Sequence, residues 1–151
     1  MKYAIRTVTW RFKESIELAR EFTNIPSVVI SSPADLFNKY QSLFKDQVHE
    51  RFVVFWLNAG NKVLGFEIVT EGLLNSSLVH PREVFRGAIV ATAASIIIAH
   101  NHPSGNPEPS QEDLSITKQI VESGKIIGIP VHDHVIFTDS SYTSLAERSL
   151  I

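Results

Sequence analysis

The clearest pattern along the chain is a set of short apolar runs separated by helical stripes. Arg51 to Leu57 (RFVVFWL) is rich in β-branched and aromatic residues, is followed by the turn sequence Asn-Ala-Gly-Asn-Lys, and resumes as Val63 to Thr70. The pair predicts a hairpin feeding a central sheet. Ser95 to Ala99 predicts a short buried strand, and Ile126 to Ile129 with Val131 to Thr138 predict one or two more. Helices fall between these runs. Ser32-Pro33-Ala34-Asp35 supplies a cap and a proline suited to the first turn, after which Leu36, Tyr40, Leu43 and Phe44 share a face; this helix should end before Glu50. His80-Pro81-Arg82-Glu83 opens a second helix running through Ala94. A third runs from Ser110 to about Ser123 and is ended by Gly124. The Ser/Thr-rich tail predicts one further helical turn. Lys2 to Phe12 loosely alternates as an opening strand would, whereas Phe12, Ile16, Ala19 and Phe22 equally make a helical stripe. Strands alternating with helices around buried apolar strands predict an α/β sandwich with a mixed sheet.

Composition narrows the partners. The chain has 151 residues, 44% of them hydrophobic and 20% charged, as expected for one globular domain with a single sizeable core. The longest apolar stretch, Ala88 to Ala99, is too short to span a bilayer, and the N-terminus lacks a signal-type apolar core, so a cytoplasmic protein without a membrane partner is expected. A formal charge of −2 gives no support to nucleic-acid binding, which usually shows as a basic excess; only the first twenty residues lean that way, through Lys2, Arg6, Arg11, Lys13 and Arg20. There is no cysteine, so a metal would have to sit on histidines and carboxylates.

Such a set exists. His100 and His102 are two apart where a strand runs out of the sheet, so both imidazoles can address one point. The turn-rich segment His102-Pro-Ser-Gly-Asn-Pro-Glu-Pro109 brings the chain back, and the next helix starts at Ser110, which puts Asp113 in its first turn. Two histidines and one carboxylate leave a fourth position open, the mark of a zinc site that activates water rather than a closed structural one. Each piece also has a plainer role. Ser110-x-x-Asp113 is close to a capping box, and a lone histidine at a strand end is usually just hydrogen-bonded. His80 and Arg82 at a helix start either line the same cleft or flank a cap.

His100-x-His102-Pro103, seven residues from Pro103 to Pro109, then Ser110-x-x-Asp113, resembles the JAMM (MPN+) metalloprotease signature. The wording His-Asn-His-Pro-Ser-Gly, with Asp133-His134 further on, is similar to its bacterial RadC branch. The resemblance covers about residues 45 to 140. It implies a three-layer, cytidine-deaminase-like α/β/α sandwich over residues 45–151, with residues 1–44 as an N-terminal strand/helix extension packed on the same domain. It also implies one zinc ion per chain held by His100, His102 and Asp113. Glu50, directly before an apolar strand, matches the family's acid/base, ahead of Glu67 and Glu71. Ser110 would be the hydroxyl that stabilises the oxyanion of a peptide or isopeptide bond under attack. Asn101 stands where deubiquitinating members carry Ser or Thr, a departure that bears on the substrate. Asp133 and His134, with His132 beside them, are expected to line the pocket or support the ligands, with a metal-ligand role as the alternative.

The resemblance therefore implies a zinc-dependent hydrolase. A DNA-repair role is the competitor from the branch's name, but the helix-hairpin-helix module of longer relatives needs a glycine hairpin and the first glycine here is Gly60, so the catalytic-type domain alone is expected. An HNH nuclease spreads its three residues over a ββα unit, and a two-histidine-one-carboxylate iron oxygenase fits the ligand order less well. A metal-stabilised interaction module would have no use for Glu50.

Overall fold

A computed structural model describes residues 28–72 and 79–151. The strand or helix expected between Lys2 and Phe22 lies outside the described residues. Helix α1 (Pro33–Tyr40) is followed by a 3₁₀ turn (Gln41–Leu43) and by strands β1 (Glu50–Leu57) and β2 (Val63–Gly72). Helix α2 (Pro81–Val90), β3 (Ser95–Asn101), α3 (Gln111–Ile127), β4 (Val131–Phe137) and β5 (Tyr142–Ser144) complete the chain. The sheet order is β2-β1-β3-β4-β5. Only β3 and β4 run parallel, and α3 makes the crossover between them, as parallel neighbours require.

Alternation along the central strands builds two cores. Phe52 and Val54 of β1, with Ile96 and Ile98 of β3, face α2 and α3 and meet Val84, Phe85, Ile116 and Ile120. Val53, Phe55 and Leu57, with Ile97 and Ala99, face the other way, onto Leu36, Tyr40, Leu43 and Phe44 around α1. Strands buried on both faces read as unbroken apolar runs, which is why β1 and β3 look as they do in the sequence. The result is the three-layer α/β sandwich, with α1 on one side of a mixed sheet and α2 and α3 on the other.

Several boundaries differ from the sequence expectation; β2 and β3 each run two residues further, to Gly72 and Asn101. Helix α3 does not stop at Gly124; it continues to Ile127 and ends at Gly128, which takes the left-handed conformation with φ 81, so no strand covers Ile126 to Ile129. Gly124 is glycine for another reason. A Cβ there would lie 2.6 Å from the Ile129 carbonyl oxygen and 3.1 Å from the Phe85 ring, so its absence lets the helix close onto the chain that follows. Helix α2 ends at Val90 rather than Ala94, because Thr92 turns the chain with φ 52 and the Ala93 amide reaches back to the Ala88 carbonyl. Finally, the tail contributes the edge strand β5 and then turns, in place of a helical turn.

Candidate metal centre

His100 is the sixth residue of β3 and continues the row Ile96, Ile98 on the α2/α3 face. It is buried, and its register partner on β1 is Phe52. His102 lies just past the strand end, where its amide is still held by the Phe137 carbonyl. The loop then returns to Ser110, which caps α3: its Oγ accepts from the Asp113 amide at 3.1 Å, and the Asp113 carboxylate accepts from the Ser110 amide at 2.7 Å. The capping box expected from the sequence is therefore present, and it leaves the carboxylate able to face a metal ion as well. The same carboxylate that closes the cap also faces both histidines.

The geometry is compact. His100 Nε2 lies 2.9 Å from His102 Nε2 and 3.1 Å from Asp113 Oδ1, and His102 Nε2 lies 3.3 Å from Asp113 Oδ2. Among the described residues this is the one group of three or more such side chains whose ligand atoms converge. Ligands about 2.0–2.1 Å from a tetrahedral zinc are about 3.3 Å apart, so the spacing suits such an ion with little movement. The donor set fits as well. His102 Nδ1 is 2.7 Å from the Asn106 carbonyl; a carbonyl brings no proton, so Nδ1 carries it and the neutral ring offers the Nε2 lone pair to the cluster. Asp113 Oδ2 already accepts from the Ser110 amide and hydroxyl, both at 2.7 Å, which leaves Oδ1 as the freer oxygen.

Lone pairs packed this closely call for a cation. The hydrogen bond to Asp113 raises the pKa of His102; burial opposes it, and the Asn106 carbonyl and the charges of Asp113 and Glu50 add to it. Burial alone would push the Asp113 carboxyl up, but the imidazoles of His100 and His102, which donate to it whenever they are protonated, and the Ser110 hydroxyl hold it well below the ordinary carboxylate range.

The other expected residues divide between the two faces. Glu50 opens β1 two residues before Phe52, so it shares the face of His100, and its charge is felt at His102. Its two competitors are engaged by arginines: Glu67 pairs with Arg86, and Glu71 with Arg51 at 2.8 Å. His134 joins the site from β4, with Nε2 2.7 Å from His100 Nδ1; burial, with the charge of His100, keeps it neutral well below the usual histidine value. Asp133 does not join it. Neighbours on a strand point to opposite faces, and the Asp133 carboxylate instead accepts from the His134 and Ala146 amides and the Ser144 hydroxyl. Burial raises its pKa against those bonds.

Asn101 also faces away from the triad. Its Oδ1 accepts from the Arg51 amide at 2.7 Å and its Nδ2 donates to the His49 carbonyl at 3.1 Å, so it ties the chain on both sides of Glu50. His80 and Arg82 are exposed at the start of α2, where His80 makes no side-chain cap. His132 is exposed and borders a cavity of about 380 Å³ on the α1 side of the sheet, together with Asp133 and Leu36. Thr117, whose Oγ1 contacts His134 Nδ1, was not anticipated. It sits four residues after Asp113 on the same helix face, a spacing that could have identified it.

Comparison with known proteins identifies the family. The model of the RadC-like JAB domain family matches residues 30–150, a span that contains every residue of the cluster. A UPF0758 protein of Methanosarcina mazei is 43% identical over 138 residues, covering 89% of this chain and 60% of the relative. One from Desulforamulus reducens is 45% identical over 142 residues, covering 92% and 63%, and one from Salinibacter ruber is 51% identical over 122 residues, covering 81% and 52%. The chain thus spans 52 to 63% of the length of these relatives. No helix among the described residues is long and apolar enough to cross a membrane. With the family model covering most of the chain and a cluster that could hold a metal ion inside the matched span, this chain belongs to the RadC-like JAB domain family.

Proposed function

We propose that the domain is a zinc-dependent hydrolase of peptide or isopeptide bonds. The observation that carries this reading is the convergence of His100 Nε2, His102 Nε2 and an Asp113 oxygen on one point, with the carboxylate of Glu50 on the same sheet face. Three protein ligands leave room for a fourth partner, which distinguishes catalytic from structural zinc. A zinc ion held there supplies Lewis acidity, polarising a carbonyl and bringing water to a usable pKa.

The chain's own residues do the rest. Glu50, half-buried at the mouth of the sheet, accepts a proton from the attacking water and returns it to the leaving amine, the exchange that amide hydrolysis requires. Asn101 holds the segment on which Glu50 sits. Ser110 orients the Asp113 carboxylate through its hydroxyl; donation to a developing oxyanion would require that bond to open. One carboxylate base with one ion suits acyl transfer, whereas phosphodiester cleavage more often uses a two-metal clamp.

The test is Glu50→Gln against wild type on a peptide and isopeptide substrate panel, with zinc content measured in parallel. The variant should keep its zinc while hydrolysis falls by about 10²–10⁴-fold, the scale of lost acid–base catalysis. Zinc-dependent cleavage of DNA by the wild type, with none of the amide substrates, would overturn the reading.

A further inference from the structure

A chain of three side-chain contacts behind the triad has a proton order that can be worked out from one end. Thr117 Oγ1 lies 2.6 Å from the backbone carbonyl of Asp113. A carbonyl has no proton to give, so the hydroxyl hydrogen occupies that contact. The same Oγ1 meets His134 Nδ1 and, with its one hydrogen committed, can only accept; Nδ1 of His134 therefore carries a proton. A neutral imidazole has a single N–H, so Nε2 of His134 is a bare acceptor, and His100 Nδ1, 2.7 Å away, must be the donor. That leaves His100 Nε2 without a proton where it faces His102 and Asp113.

We propose that Thr117 and His134 are positioning residues that lock His100 in the tautomer able to bind a metal ion. The role rests on reading the triad as a metal centre, and neither residue touches the ion's position. Thr117, His134 and His100 are each 1% exposed, so solvent does not replace a missing partner. The path begins at the Asp113 carbonyl and ends beside the Asp113 carboxylate. One turn of α3 therefore supplies one ligand and sets the proton on another, a supporting arrangement common around metal-bound histidines.

The experiment compares wild type, Thr117→Val and Thr117→Ser, using zinc competition titration and ¹⁵N NMR of the imidazoles in metal-free protein. Valine keeps the shape but removes the acceptor. His134 then does better with its proton on Nε2, donating to His100 Nδ1, and the His100 proton moves to the atom that should receive the ion. The zinc Kd of Thr117→Val should rise by about ten- to a hundredfold, the usual effect of losing such support, while Thr117→Ser stays at the wild-type value. The wild-type spectrum should show Nδ1–H on both His100 and His134, and this measurement decides the matter even if the valine variant does not fold. Equal Kd values for the valine and serine variants, or Nε2–H on His100 in metal-free wild type, would overturn the positioning role and leave the metal centre standing. A wild type that takes up no zinc would instead overturn the metal reading itself.

Discussion

The two faces of the sheet treat buried polar side chains in opposite ways, and the same two strand ends supply both. His100 and Asn101 are neighbours on β3, and Asp133 and His134 are neighbours on β4. Asn101 and Asp133 point to the α1 side, where their oxygens and the Asn101 amide find backbone or hydroxyl partners. A buried polar group satisfied in this way is scaffold. His100 and His134 point to the α2/α3 side, where hydrogen bonds run inward to Thr117 and lone pairs accumulate at the outer end beside His102 and Asp113. A cluster that satisfies its donors and leaves its acceptors converging is an arrangement that a metal ion would complete.

Substitutions can break this contrast, and the largest effect is expected at Asp113. Asparagine keeps the size and some capping ability but gives up the charge. In chelator, Asp113→Asn should cost no more than about 1 kcal/mol, the scale of a helix-terminus charge. With zinc at a hundredfold excess over Kd the gap should widen by about 2.7 kcal/mol, because a ligand that binds only the folded state adds its binding energy to stability. Denaturant unfolding in both conditions measures the difference, and an equal gap would make Asp113 a helix cap alone. Asp133→Ala, on the scaffold face, should cost about 3 kcal/mol with or without zinc, since three donors lose their acceptor. Asp133→Asn should cost only about 1 kcal/mol, because the amide oxygen can still accept from the two backbone amides. A change in zinc affinity in either Asp133 variant would erase the distinction between the faces.

A smaller effect concerns pH. The folded-state pKa of His102 is raised above its ordinary value of about 6.5, so its contribution to stability is fully present below that value and is lost as pH rises through the folded one. Metal-free protein should therefore be less stable at pH 8 than at pH 6. The zinc-loaded protein should gain stability over the same range, because the ion displaces the proton. Thermal melts at both pH values, with and without chelator, check the sign; parallel slopes would contradict the ligand role of His102.

Much of this arrangement is legible in the sequence because it depends on local spacing. The two-residue step from His100 to His102 and the three-residue step from Ser110 to Asp113 fix directions within one strand and one helical turn, and Glu50 directly before an apolar run fixes its face once β1 is known. What could not be read depends on distant packing. Gly124 and Gly128 look like equivalent helix stops, and only the approach of the Ile129 carbonyl and Phe85 to Gly124 separates them. Asp133 and His134 are adjacent in the sequence, yet they point to opposite faces of the sheet. A register irregularity, with Ile96 opposite Val131 and Ile97 already opposite Asp133, determines which of the two meets His100. The four-residue spacing puts Thr117 on the face of Asp113, but its contact with His134 depends on α3 and β4 coming together, which no local pattern encodes.

The central claim is that His100, His102 and Asp113 form a metal centre. It is tested most directly by zinc titration of protein stripped with chelator and then desalted, comparing wild type with His100→Ala. Wild type should bind one zinc ion per chain, and His100→Ala should fail to hold it, since two protein ligands retain zinc poorly. No stoichiometric uptake by the wild type, or full retention by the variant, would contradict the account.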